Sequence, residues 1–142
     1  MPHPLSVYCL LMKGLQIENL PETKEVEGAK RWEEDKGEFV QIAYDEDMRH
    51  LAYFELKKGF WRGRHYHEEK SETFYVVSGV IRAVFISHDR AEREEHVLYK
   101  GQKIRVKPRI WHVFYGLEDS TVVEYSPQKY DENDTCRGDF EA

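Results

Sequence analysis

Gly59-Phe-Trp-Arg-Gly-Arg-His65-Tyr-His67-Glu-Glu-Lys-Ser-Glu72-Thr-Phe-Tyr-Val-Val-Ser-Gly79 is the stretch on which the reading of this 142-residue chain turns. Residues i and i+2 of a strand point to the same face, so His65 and His67 present two imidazoles on one side. Glu-Glu-Lys-Ser reads as a polar turn, and Glu72 beyond it can open the next strand facing the same way. Two imidazoles and a carboxylate are three of the four side chains a transition metal takes, and the set suits zinc, iron, manganese or nickel. A fourth candidate ends Gly101-Gln-Lys-Ile-Arg-Val-Lys-Pro108-Arg-Ile-Trp-His112, where one strand stops at a proline and another starts at a histidine.

Composition narrows the class. The net charge of −6 argues against the broad basic surface of sequence-independent nucleic-acid binding, so no nucleic-acid partner is expected. Hydrophobic residues reach 40% of the chain, enough for a core. Nine tyrosines favour strands and lined cavities. Cys9 and Cys136 stand at opposite ends and make no disulfide framework, leaving at most one bridge between the termini. No apolar run nears the roughly 18 residues of a membrane helix, so no membrane partner is expected. Val7 to Met12 is apolar, but no small-residue cleavage site follows, so a secretory signal is not expected and the cytoplasm is the expected compartment. Met12-Lys-Gly-Leu-Gln-Ile reads as a start followed at once by a strand, so residues 1 to 11 are expected to precede the natural protein.

Short β-rich runs fill the rest. Leu15 to Leu20, Glu38 to Tyr44, Leu51 to Leu56, the histidine strand, Thr73 to Val77, Val80 to Ile86, His96 to Tyr99, Lys103 to Lys107, His112 to Tyr115 and Thr121 to Tyr125 give about ten strands with turn signals every 8 to 12 residues, the spacing of a sandwich or barrel. Pro21 to Lys30 reads as a loop, and no long helix or repeat is visible. On the strand carrying Glu72, Phe74, Val76 and Ser78 share its inward face. Tyr75 and Val77 then face outward, beneath another strand or a second subunit. His3, His50, His88 and His96 lack partners and read as surface residues.

The two motifs, Gly59-x5-His65-x-His67-x4-Glu72-x6-Gly79 and Gly101-x10-His112, resemble those of the cupin superfamily over roughly residues 37 to 127. The resemblance implies an all-β, single-domain cupin double-stranded β-helix, a jelly-roll barrel, with His65, His67, Glu72 and His112 as metal ligands inside it. On that reading residues 1–14 are an extension, 15–36 an N-terminal strand and loop, 37–127 the barrel and 128–142 a tail.

A second resemblance rests on Arg62-Gly63-x-His65-x-His67, Pro108-x-x-Trp111-His112, Tyr130-Asp131-Glu-x-Asp134 and Asp139-Phe140. These are similar to cupins that isomerise or epimerise nucleotide-linked deoxysugars, the dTDP-4-keto-sugar 3,4-ketoisomerases above all, and imply a nucleotide sugar as substrate and polysaccharide precursors as the destination. That subgroup spaces its acid closer to the histidines and works without metal, whereas a related sugar-modifying class keeps this chain's step to Glu72 and binds zinc. Two versions therefore stand open. Without metal, His65 and His67 are base and acid, with Tyr53 or Tyr115 as proton donors. With metal, those imidazoles are ligands and the base is another group, such as Tyr53, Glu55 or Glu124. Arg62, Arg64 and Arg105, with Tyr115, are candidate substrate contacts, the arginines as a diphosphate clamp. The same ligand set would also serve a metal-dependent dioxygenase or decarboxylase, or a non-catalytic binding cupin. A homodimer is expected from the outward apolar positions.

Overall fold

The computed structural model describes residues 11–140. His3, Cys9 and most of the expected extension lie outside them. The strands are β1 (Leu15–Asn19), β2 (Lys30–Glu34), β3 (Gly37–Gln41), β4 (His50–Leu56), β5 (Trp61–His67), β6 (Glu72–Ser78), β7 (Val80–Ile86), β8 (Arg93–Tyr99), β9 (Gln102–Val106), β10 (Trp111–Gly116), β11 (Ser120–Ser126) and β12 (Thr135–Arg137). One 3-10 turn, Glu132–Asp134, precedes β12. Among the described residues no helix is long and apolar enough to cross a membrane.

Two five-stranded sheets, ordered β1-β9-β6-β11-β4 and β12-β5-β10-β7-β8, make the all-β cupin jelly roll, and β2 and β3 form a separate hairpin. Strand alternation builds the core. Phe74 and Val76 of β6, Ile104 and Val106 of β9, Ile81, Ala83 and Phe85 of β7 and Phe114 of β10 join one buried cluster. Burying side chains of this kind contributes about 1.5–3 kcal/mol each for the larger ones. The opposite faces of β7 and β10 supply a second cluster, in which Val84, Trp111 and Val113 pack with Phe140 of the tail.

Residues 30–48 are tied to the outer face of the first sheet. Lys103, 1% exposed, donates to the Ile42 carbonyl at 2.8 Å. Arg105 makes a two-pronged pair with Glu46 at 2.8 and 3.0 Å, and the Tyr125 hydroxyl donates to the same carboxylate at 3.0 Å. Burial lowers the Lys103 pKa. Burial works against the Glu46 charge, yet Arg105 holds that carboxyl below its ordinary value. Tyr75 faces outward as expected, and burial near Arg31 and Glu38 of the chain's own hairpin pushes its hydroxyl up to about 12.

Two local expectations are corrected. The run from 38 to 44 is not a barrel strand, because β3 pairs with β2 and ends at Gln41. The sheets also take in β1, paired with β9, and β12, paired with β5. β2 and β12 are polar, so no alternation marks them; β2 gets its pairing from the adjacent β3, whereas β12 gets its pairing from β5, distant in sequence.

Candidate metal centre and cavity

The geometry of β5 sets the site. Along the β10 pairing, His112 lies opposite His65 while the next residue, Val113, lies opposite Gly63. Arg64 is the extra residue, at φ 63, which makes a β-bulge. A Cβ on Gly63 would stand 2.7 Å from the His112 carbonyl oxygen, so the close approach of the two strands needs glycine. The bulge switches the parity of the strand. Arg62, opposite Phe114, therefore lines the same cavity as His65 and His67.

His65 and His67 of β5, Glu72 at the start of β6 and His112 of β10 converge, with one donor atom from each lying within 4.8 Å of the others. His67, Glu72 and His112 are buried. Glu72 Oε1 stands 3.0 Å from His67 Nε2 and 3.2 Å from His112 Nε2, yet none of these three atoms has a hydrogen bond of acceptable alignment. The far side of His112 explains why. Its Nδ1 lies 3.1 Å from the Ile110 carbonyl, which can only accept, so Nδ1 carries the proton. In the neutral ring Nε2 then presents a lone pair to the carboxylate. Two acceptors in contact repel unless a cation lies between them, and fixing a ring through its other nitrogen is the usual support of a metal-binding histidine. The donor set and its orphaned atoms fit a divalent transition metal. Burial, then the nearby His112 and His67, pushes His65 down to about 3. Burial opposes the Glu72 charge, but the two imidazoles hold its carboxyl well below the ordinary range.

The tail braces this cluster. β12 pairs with β5 so that Thr135 lies opposite His67 and Arg137 opposite His65. Asp134 accepts from the backbone N–H groups of Glu69 and Lys70 at 2.9 and 3.0 Å. Those groups belong to the turn that links His67 to Glu72, so the tail fixes how the carboxylate returns to the histidines.

A cavity of about 580 Å³ opens over the cluster. β4 and β11 line it with His50, Ala52, Phe54 and Glu124, β5 with Trp61 and Arg62, and the turn and tail with Lys70, Tyr130 and Arg137. The Arg62 guanidinium lies over Phe54 and its Nε donates to the Glu55 carbonyl at 2.9 Å. Lys70 is buried, with Nζ 3.4 Å from Glu72 Oε2. Burial and the Glu72 charge raise the Glu124 pKa.

Other expected residues lie elsewhere. Tyr53 is 69% exposed and projects from the outer face of β4, because its neighbours Ala52 and Phe54 take the cavity face. Glu55 follows Tyr53 outward by the same alternation. Tyr115 sits on the far face of β10 beneath Arg82, against the second cluster. Arg64, the bulge residue, stacks on Trp61 at 3.9 Å, and Arg105 is held on the outer face by Glu46. His50 and Arg137, by contrast, reach the cavity. His50 shares the inward parity of Phe54, a signal present in the sequence, whereas nothing local marks Arg137.

Residues 32–125 match the family described as polysaccharide biosynthesis C-terminal domain. The chain belongs to this family. No curated protein matches the sequence of this polysaccharide biosynthesis C-terminal domain. Solved structures share its fold. A sugar 3,4-ketoisomerase from Thermoanaerobacterium thermosaccharolyticum in complex with TDP is 15% identical, covers 90% of each chain and has a TM-score of 0.73. A TDP-quinovose 3,4-ketoisomerase from Campylobacter jejuni is 14% identical over 89% of this chain and 95% of its own, with a TM-score of 0.73. A dTDP-4-dehydrorhamnose 3,5-epimerase from Sulfolobus tokodaii is 20% identical over 89% of this chain and 78% of its own, with a TM-score of 0.72.

Proposed function

We propose that this chain is a metal-dependent isomerase or epimerase acting on a 4-keto deoxysugar carried by a nucleoside diphosphate, in the supply of polysaccharide precursors. The observation that carries the reading is that one cavity holds both a four-donor cluster and two permanent cations, Arg62 and Arg137. Guanidinium pairs suit a diphosphate, and Phe54, Trp61 and Tyr130 offer apolar faces to a sugar or base. The fold shared with TDP-sugar ketoisomerases and epimerases supports the same substrate class. When bound, a divalent metal supplies Lewis acidity that stabilises charge developing on an adjacent oxygen. His65, His67, Glu72 and His112 would hold it, which leaves His65 and His67 no part in moving protons. Redox chemistry of the dioxygenase kind does not by itself call for two arginines in the cavity, whereas a diphosphate does. The protein would act in the cytoplasm as a homodimer, with Leu51 and Tyr53, exposed on edge strand β4, as the surface a second copy covers.

Thermal shift with dTDP and UDP tests this reading. Either nucleotide at about 100 times its dissociation constant should add about 2.7 kcal/mol of stability, and the gain should fall away in Arg137→Met. No shift from either nucleotide would remove the nucleotide-sugar assignment. The brace on the ligand turn is tested separately. Asp134→Ala leaves two turn N–H groups without their acceptor and should weaken metal binding about 10- to 100-fold, the scale of lost outer support. Competition with a chelator reads the change, and an affinity equal to that of the unaltered protein would show that the turn holds its shape unaided.

A further inference from the structure

We infer that His50 is the group that takes the substrate proton, an assignment that rests on the sugar-isomerase reading of the cavity. His50 opens β4 opposite Ser126 of β11, with Ala52 and Phe54 deeper on the same face. Its ring is half-buried and packs 6.1 Å from the Tyr130 ring, centroid to centroid, at the cavity wall. Among the described residues no hydrogen bond or ion pair engages its ring nitrogens.

The other cavity groups are committed or unsuited. Three imidazoles and Glu72 form the metal cluster. Arg62 and Arg137 carry guanidinium groups, which donate hydrogen bonds and offer no acceptor. Lys70 is held against Glu72 Oε2 at 3.4 Å, and burial with the neighbouring Glu72 charge disfavours the ionised form of Glu124 that a base must present. A phenol is a weaker proton acceptor than an imidazole, which sets Tyr130 aside. An imidazole suits proton abstraction at that pH. Burial, and after it the Lys70 charge, lowers the His50 pKa, which favours the neutral ring that a base must present.

The step balances without an oxidant. A neutral ring nitrogen of His50 takes the proton from the carbon beside the ketone. The C–H pair becomes the new C=C bond, and the carbonyl π pair moves onto oxygen to give an enediolate. The imidazolium then returns a proton to the former carbonyl carbon, the neighbouring hydroxyl passes its proton to the oxygen that carried the charge, and the carbonyl re-forms at the carbon first deprotonated. Between the two transfers the imidazolium exchanges with water, so solvent deuterium enters the sugar.

Deuterium incorporation by NMR tests this, with the metal-loaded protein and the TDP and UDP forms of 4-keto-6-deoxyglucose as probes. His50→Gln should keep metal content and probe affinity while exchange falls at least about 100-fold. His50→Ala should lose exchange equally and regain part of it with added free imidazole, which a merely structural residue would not do. Exchange at the original rate in His50→Gln would overturn the assignment while leaving the sugar reading intact. Loss of exchange in Glu124→Gln with retention in His50→Gln would move the role to Glu124. Absence of exchange by the unaltered protein with both probes would overturn the sugar reading, and the His50 assignment with it.

Discussion

Replacing His112 with glutamine should strip the protein of bound metal, lowering occupancy from about one ion per chain to below about a tenth, through an affinity loss of at least about 100-fold. The residue sits at the centre of the cluster. Its Nε2 is 3.2 Å from Glu72, its ring centroid is 4.7 Å from that of His65, and its Nδ1 is anchored on the Ile110 carbonyl. Glutamine roughly keeps the volume but cannot present a lone pair at the same point with its other end tied. Losing an outer support alone costs about 10- to 100-fold, so losing a ligand should exceed that range. Stability should follow by linkage. With free metal near 1,000 times its dissociation constant, binding adds about 4.1 kcal/mol, which a chelator removes from the unaltered protein but not from His112→Gln. His96→Gln is the control, since His96 pairs with Glu94 at 3.0 Å outside the cavity. Elemental analysis and chemical denaturation read both effects. Equal metal content in the two variants, or a chelator without effect on the unaltered protein, would take the metal out of the reading.

What the sequence disclosed follows the reach of each rule. His65 and His67 need only strand alternation, and Glu72 needs only a short turn after them, so these three could be grouped from local spacing. His112 needed the longer step from Gly101, which a recurring motif carries and periodicity does not. Beyond that, register decides. Strict alternation places Arg62 and Arg64 together on the face away from the histidines, but the extra residue at Arg64 turns Arg62 inward. The strained φ of a non-glycine residue leaves no mark in the letters around it. Tyr53 could have been excluded beforehand. If Phe54 packs in the core, its neighbour on β4 must face out, and the same parity turns His50 inward. Reading His50 as a surface residue because it lacks a neighbouring partner overlooked partners that arrive from β11 and the tail. Arg137 and Asp134 lie in a polar segment whose structure comes from pairing with β5, so only the assembled sheet reveals them.

Gly79→Ala should destabilise the protein by about 3 kcal/mol or more, while the same change at Gly59 should cost about 1 kcal/mol, although the two glycines bound one motif and look equivalent in sequence. Both hold left-handed backbone, φ 90 at Gly79 and φ 87 at Gly59, a conformation costing a side-chain-bearing residue about 1–2 kcal/mol. Their surroundings differ. A Cβ at Gly59 meets nothing within 4 Å. At Gly79 it would come within 2.5 Å of the Asp119 carbonyl oxygen and 2.6 Å of Ser120 Cα, and closer still to Ser120 Oγ. These atoms have little room to withdraw. Ser120 is buried and its hydroxyl donates to the Glu118 carbonyl at 2.8 Å, while the Asp119 side chain accepts from the Lys58 N–H at 3.0 Å. Overpacking of this kind adds about 1–3 kcal/mol to the backbone strain. Position raises the effect further, because Gly79 is the single residue between β6 and β7, where the chain leaves one sheet for the other. Displacing that corner displaces Phe74 and Val76 on one side and Ile81 and Ala83 on the other, all in the main core cluster. Urea unfolding of the two variants, each matched to the unaltered protein in metal content, measures the difference. Equal costs at the two glycines would mean that backbone conformation alone sets the requirement, and that the close packing of β11 against this corner has no part in it.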